Sequence, residues 1–181
     1  MLDPTPGRHT QGAVGFIEHG WFEKELEQYK PDELAAVRYN YESKGKMLAD
    51  LNNWFHMFTS TGMCMFTKFL QTDYPFMEAL REVTGWYTFD VNEALTVGER
   101  INTLRHCFNI REGLKPDDFK LPKRLMGIPP FASGPTAGVT LDIETVKKSY
   151  FQVLDWDITT GKPSKEKLAA LNLSSFVTDL P

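Results

Sequence analysis

Cys64 is the residue in this sequence best placed by type and setting for inorganic chemistry. It stands in Thr59-Ser60-Thr61-Gly62-Met63-Cys64-Met65-Phe66, where small hydroxylated residues and a glycine give way to a thiol among large apolar side chains. A helix that breaks at glycine and then presents a thiol can set that sulfur against something non-protein. The free backbone amides of such a break can meet a ligand's polar edge. On periodicity alone another reading stays open, in which Cys64 is a small buried hydrophobe and Gly62 a kink. His19, His56, His106 and Cys107 carry the remaining ligand types in the body of the chain. None has the i,i+4 spacing with glutamate that marks a zinc protease helix. His56, close to Trp54, reads as packed or at the surface, His19 as exposed, and Cys107 as buried and inert.

The element that must position Cys64 is the helix before it. Leu48, Leu51, Phe55 and Phe58 recur at intervals of three and four and share one face. Pro31-Asp32-Glu33 opens an earlier helix, with Asp32 as a cap, running on through a hitch near Gly45 into this one. Residues 11–22 read as irregular chain. Phe76 to Val83 is a short helix stopped by Thr84-Gly85. Asp90-Val91-Asn92-Glu93 has the form of a capping box, and the helix it opens runs to Gly113. Gly98 inside that helix costs about 1 kcal/mol against alanine, which points to close packing by a neighbour. Residues 114–140 are rich in proline and glycine and form a long wrapping connection, with Lys123-Arg124 as its clamp. Asp142 caps a helix with Val146, Tyr150 and Val153 inward, and Ser164 caps a last short one. No alternating strand pattern of useful length occurs. The fold class is all-α and multihelical, in two small subdomains, 1–85 and 86–181.

Composition narrows the partners. The 181 residues carry a net charge of −4 with acids and bases interleaved, so no basic stripe tracks a phosphate backbone and nucleic acid is not expected. No apolar run is long enough for a membrane helix and no signal-peptide core is seen. Two cysteines make at most one disulfide, which suits a reducing cytoplasm. The high aromatic and methionine content fits a large core or an apolar face that docks onto another domain.

Several fragments, in order, resemble the C-terminal helical part of the tungsten-containing aldehyde ferredoxin oxidoreductase family. Thr59 to Phe66 is similar to that family's Asp-x-x-Gly-Leu-Cys-x-Phe motif. Gly98-Glu99-Arg100-Ile101 through Phe108-Asn109-Ile110-Arg111-Glu112-Gly113 resembles its Glu-Arg…Phe-Asn-x-Arg-Glu-Gly helix. Asp117-Asp118 with Leu121-Pro122-Lys123-Arg124 follows. Tyr150, Trp156-Asp157, Gly161-Lys162-Pro163 and Leu168 resemble its closing segment, and Thr5-Pro6-Gly7-Arg8-His9-Thr10 also looks like members of the family.

The resemblance implies that Cys64 is the fourth cysteine ligand of a 4Fe-4S cluster whose other ligands lie in an N-terminal cofactor-binding domain missing from this chain. Soft thiolate suits such a cluster. It further implies that Thr59, Gly62 and Met63 edge a bis-pterin cofactor holding tungsten or molybdenum. Electrons would pass to ferredoxin, with a small aldehyde oxidised to a carboxylic acid. His9 is the candidate for proton transfer near the metal. Arg100 and Arg111 read as a pterin-phosphate contact or, more simply, as ion pairs with Glu99 and Glu112 or as packing against the missing domain. The sequence departs from the pattern at Thr59, where the family has aspartate, at Met63, where it has leucine, and before Trp156, where a glycine is absent. A threonine hydroxyl accepts a weaker, neutral bond than a carboxylate would. One thiolate cannot hold a cluster, so the expectation is a portion of a larger oxidoreductase, inactive alone. A subunit fragment of a related aromatic thioester reductase, or a helical interaction module that has lost its cofactors, are the alternatives. A homo-oligomer stays open.

Overall fold

The computed structural model describes residues 2–7, 14–22, 24–36, 38–67, 74–178 and 180, without the side chains of Ala35 and Ala36. Seven α-helices occur among them: α1 (Gly15–Glu18), α2 (Pro31–Ala36), α3 (Tyr41–Ser60), α4 (Phe76–Thr84), α5 (Val91–Arg111), α6 (Ile143–Val153) and α7 (Lys165–Ala170). Single 3-10 turns follow at Pro116–Asp118 and Ser174–Phe176. Among the described residues β-pairing is limited to the isolated bridges Phe131–Ala137 and Trp156–Pro163. The all-α class stands.

Local chemistry starts three helices, α5, α6 and α7, where the sequence predicts. Asp90 accepts from the Glu93 N–H at 2.8 Å, Asp142 from that of Thr145 at 3.0 Å and Ser164 from that of Lys167 at 2.9 Å. Each satisfies a donor that a helix start leaves orphaned. Gly85 ends α4 with φ +74°, a conformation that favours glycine.

Two expectations fail nearby. Asp32 does not cap α2: the helix begins at Pro31, whose missing N–H suits that position, and Asp32 lies in the first turn. Nor does α2 run on into α3. Asn40 adopts an extended conformation, accepts from the Ser43 N–H at 3.3 Å and starts a new helix, which passes Gly45 without interruption. Residues 11–22, expected to be irregular, include the single helical turn of α1.

The spine is α3. It packs against α5 on one side and α6 on another, so the halves 1–85 and 86–181 meet along it. Glycine permits both crossings. A Cβ on Gly98 would stand 1.7 Å from the Asn53 carbonyl oxygen, and one on Gly45 would stand 2.4 Å from the Ser149 carbonyl carbon and 2.5 Å from the Tyr150 nitrogen. The close packing read from Gly98 is therefore a backbone-to-backbone approach.

At the crossing sits a buried polar knot. Asn52 and Asn102 donate to the Tyr150 hydroxyl at 3.1 and 3.0 Å, and Asn102 also reaches the Asn53 side-chain oxygen at 3.2 Å. These bonds tie three helices together at one point, although the Asn52 and Asn102 side-chain oxygens are buried there without a hydrogen-bond partner among the described residues. Around the knot, Met47, Leu51, Trp54, Phe55 and Phe58 join Ile17, Phe22, Leu26, Phe76, Phe89 and Ala94 in the main core. Ala49 packs with Tyr150, Phe151, Leu154 and Trp156, while Cys107 packs with Leu168, Leu171 and Leu173. Val153 does not face inward as expected and is 37% exposed; Leu154 takes the buried place at the helix end. Arg124 clamps the wrapping connection, its guanidinium 3.9 Å from the Phe131 ring centroid and bonded to the Pro129 carbonyl.

Candidate functional site

The C-terminal end of α3 is built from its own side chains. The Thr59 hydroxyl donates to the Phe55 carbonyl at 2.7 Å, Ser60 to Met57 at 2.6 Å and Thr61 to Phe58 at 2.7 Å. The bonds to Met57 and Phe58 supply donors to carbonyls the helix end leaves orphaned, while Thr59 back-bonds a carbonyl one turn inside the helix. The Thr59 proton is thus committed inward, and its oxygen keeps acceptor capacity only. Gly62 then turns the chain with φ +80°, and a Cβ there would meet nothing within 4 Å. The turn needs glycine for its conformation rather than for space.

Beyond Gly62 the side chains alternate. Met63 and Met65 are half-buried and pack on the main core, whereas Cys64 is exposed and free and Phe66 is 54% exposed. The Thr67 N–H closes the turn on the Cys64 carbonyl at 2.9 Å. The two methionines hold the segment down and the thiol is carried outward between them. The reading of Cys64 as a buried hydrophobe is set aside by this exposure.

One turn before Thr59, His56 joins the helix to the start of the chain. Its Nε2 lies 3.3 Å from the Asp3 carboxylate, and both side chains are buried. Arg105 of α5 brings Nη1 to 3.2 Å from His56 Nδ1 and donates through Nη2 to the Thr5 hydroxyl at 3.2 Å. Guanidinium can only donate, so Nδ1 accepts and the Nε2 proton faces Asp3, an assignment from the bonding pattern. Thr5 caps Asp3 through both its N–H and its hydroxyl, and Asn109 holds the Pro4 carbonyl at 2.8 Å. Burial pushes the Asp3 carboxyl up, but the bonds from His56 and Thr5 outweigh it and hold the pKa down to about 2.

This cluster is what the sequence reading missed. His56 lies 53 residues from Asp3 and 49 from Arg105, and no local pattern joins them. The one available signal was His56 itself, a polar residue in the apolar middle of a core helix.

The other ligand types lie apart. The exposed His19 bonds the Gly15 carbonyl through Nδ1 at 2.6 Å. His106 stacks on Trp156 with centroids 3.9 Å apart and rings 2° from parallel, and its Nε2 lies 2.9 Å from the Gly161 carbonyl. Burial pushes the His106 pKa down to about 4 against the pull of that bond. Burial also pushes the Cys107 thiol up to about 11, so it stays protonated and inert, as expected. Arg100 forms no pair with Glu99: it donates to the Leu171 carbonyl at 2.8 Å, and Glu99 pairs with Lys167 at 2.6 Å. Arg111 does pair with Glu112, at 3.1 Å. His9 lies outside the described residues.

Among the described residues no group of three or more His, Cys, Asp or Glu side chains could hold a metal ion. The site therefore offers one accessible thiol on a braced turn. That fits a single thiolate ligand of a cluster completed by other protein, and it does not fit a self-contained metal centre. No helix of the described residues is long and apolar enough to cross a membrane.

The family described as "Aldehyde ferredoxin oxidoreductase, domains 2 & 3" matches residues 1–173. Among similar proteins, the tungsten-containing aldehyde ferredoxin oxidoreductase of Pyrococcus furiosus is 32% identical over 136 residues, covering 75% of this chain and 22% of the relative. Those of Pyrococcus abyssi and Thermococcus kodakarensis are 29% and 28% identical over 137 residues, again covering 75% of this chain and 22% of each relative. The chain thus spans about a fifth of the length of the relatives it matches.

Proposed function

This chain belongs to the aldehyde ferredoxin oxidoreductase family, and on that footing we propose that it supplies the helical, cluster-facing side of a tungsten- or molybdenum-pterin oxidoreductase. The supporting observation is the exposed Cys64 thiol on a turn pinned by Met63 and Met65. Cys64 contributes one thiolate to a 4Fe-4S cluster whose remaining ligands come from protein outside this sequence. When bound, the cluster relays single electrons and the pterin-held metal supplies the oxygen-transfer chemistry that turns a small aldehyde into its acid.

The chain's own residues bind and position. Thr59 and the backbone at Gly62 and Met63 form the edge facing the pterin, and Thr59 can only accept there because its proton is held by Phe55. The methionines keep water from the inner side of the thiolate, which favours a soft ligand. His9 carries a proton to or from the substrate site. Ferredoxin is the electron acceptor.

The test uses the chain and the assembled enzyme. A thiol reagent should label Cys64 in the native chain and reach Cys107 only on denaturation. Incubated alone with iron and sulfide under reducing conditions, the chain should bind no stoichiometric cluster. In the assembled enzyme, Cys64→Ala should remove or alter the cluster's electron paramagnetic resonance signal, and an unchanged signal would refute the assignment.

A further inference from the structure

The loop between α4 and α5 displays aromatic surface on a firm backbone. Trp86 is 59% exposed, Tyr87 68% and the neighbouring Val83 87%. The backbone beneath them is tied down. Arg81 Nε donates to the Phe89 carbonyl at 2.7 Å, the Trp86 N–H to the Thr84 hydroxyl at 3.2 Å and the Phe89 N–H to the Trp86 carbonyl at 2.9 Å. The rings are thus presented, and large apolar groups grouped in water mark a surface that something covers.

Between this loop and α5 lies a cleft of about 620 Å³, lined by Trp86, Tyr87, Phe89, Glu93 and Val97. The Trp86 and Phe89 rings stand 5.9 Å apart and 47° from parallel, so they form two walls at an angle. Glu93 is the charged residue in the cleft lining. From Tyr74 to Gly98 four carboxylates, Glu78, Glu82, Asp90 and Glu93, outnumber one cation, Arg81, whose Nε is turned to the Phe89 backbone carbonyl and which keeps its charge.

The negative faces of aromatic rings beside a carboxylate are complementary to an organic cation. An anionic partner would meet repulsion, and a purely apolar one would bury Glu93 without a counter-charge. The volume is that of a site for many atoms, so a lone ammonium ion would touch one wall at a time. We propose that this cleft receives arginine or lysine side chains of a basic polypeptide segment. The proposal is independent of the cluster reading, since it uses neither Cys64 nor the end of α3.

The test is fluorescence anisotropy with the full chain and a dye-labelled peptide of alternating arginine and glycine. A citrulline-for-arginine peptide serves as the neutral control of matched shape. The arginine peptide should bind about tenfold or more tightly than the citrulline peptide. Trp86→Leu, which keeps apolar area and removes the π face, should weaken it roughly three- to tenfold, as should Glu93→Gln. Both side chains are on the surface, and unchanged helical circular dichroism confirms that the variants fold. Equal binding of the two peptides, no binding at all, or parent-like binding by both variants would overturn the proposal. So would tetramethylammonium competing as strongly as the peptide at equal concentration of charge, because the occupant would then be a small cation.

Discussion

Gly98→Ala tests the packing that positions the whole site. An alanine Cβ at this position would lie 1.7 Å from the Asn53 carbonyl oxygen, 2.4 Å from its carbon and 2.9 Å from its Cα. Comfortable contact begins beyond about 3.5 Å, so α5 must retreat from α3 by roughly 1.8 Å. No rotamer offers relief, because the obstacle is backbone. Retreat also pulls Asn102 away from Asn53 and Tyr150, where its bonds are 3.2 and 3.0 Å long. Overpacking costs about 1–3 kcal/mol and each lost buried bond about 1 or more. Alanine returns about 1 kcal/mol of helix propensity. The balance is a loss of about 3 kcal/mol, or roughly 6–12 °C in Tm for a chain of this size. Urea unfolding followed by circular dichroism measures it. Gly15→Ala is the control, since a Cβ there meets nothing within 4 Å, and it should be neutral or slightly stabilising. If Gly98→Ala is as stable as the parent, the α3–α5 crossing is not as close as described, and the account of what holds Cys64 in place fails with it.

Two further outcomes follow from the buried titrating groups. His106 has its pKa lowered to about 4 in the folded chain, so between about pH 6.5 and 4 the unfolded chain holds the extra proton. Stability should therefore fall as pH drops through that window, by on the order of 3 kcal/mol in all, and His106→Phe, which keeps a ring against Trp156, should flatten the slope. Asp3, lowered to about 2, contributes stability that is complete above about pH 4 and is lost as pH falls from there towards 2. Asp3→Ala should cost about 2–4 kcal/mol at neutral pH in a urea titration, because it removes a buried carboxylate that faces His56 and is bonded by Thr5; a cost below about 1 kcal/mol would show that the first residues are not part of the core.

What the sequence made legible was local or periodic. The caps at Asp90, Asp142 and Ser164 are contacts within three residues, and side-chain chemistry alone predicts them. Gly98 was legible as a penalty needing a reason, though which backbone would press on it was not. The family motif placed Cys64 at a helix end, but its exposure depends on Met63 and Met65 finding the core, and an unbroken apolar run hides that alternation. Asn52, Asn102 and Tyr150 meet across three helices, and Asp3 meets His56 across 53 positions. Periodicity marks which face of a helix is apolar and says little about which polar residue on one helix will face which on another. The break at Asn40 was missed for a related reason: Pro31-Asp32 and Asn40 carry competing start signals, and the intervening apolar pattern favoured one long helix over two.

On the proposed reading Cys64 is shared with another component, and such a thiol faces opposing demands. It must be exposed to be reached, and it must be still, because ligation fixed in geometry tolerates little wandering of one ligand. Exposed turns are usually the mobile part of a fold. Here the bracing contacts lie beneath the turn. Ser60 and Thr61 occupy two of the last carbonyls of α3 and Thr59 back-bonds Phe55 one turn in, so the helix end has bonding of its own to lose before it frays. Met63 and Met65 anchor the turn on either side of the sulfur. One turn back, His56 is held between Asp3 and Arg105, tying the helix both to the first residues and to α5. Further back, two glycine crossings let α5 and α6 press directly on the α3 backbone. Each of these lies away from the sulfur, and none would be found by inspecting the motif that contains it. Substitutions at Asp3, Gly98 or Arg105 should therefore shift the position of Cys64 without touching it, whereas a change to the exposed Phe66 should alter what the thiol faces and leave α3 as it is.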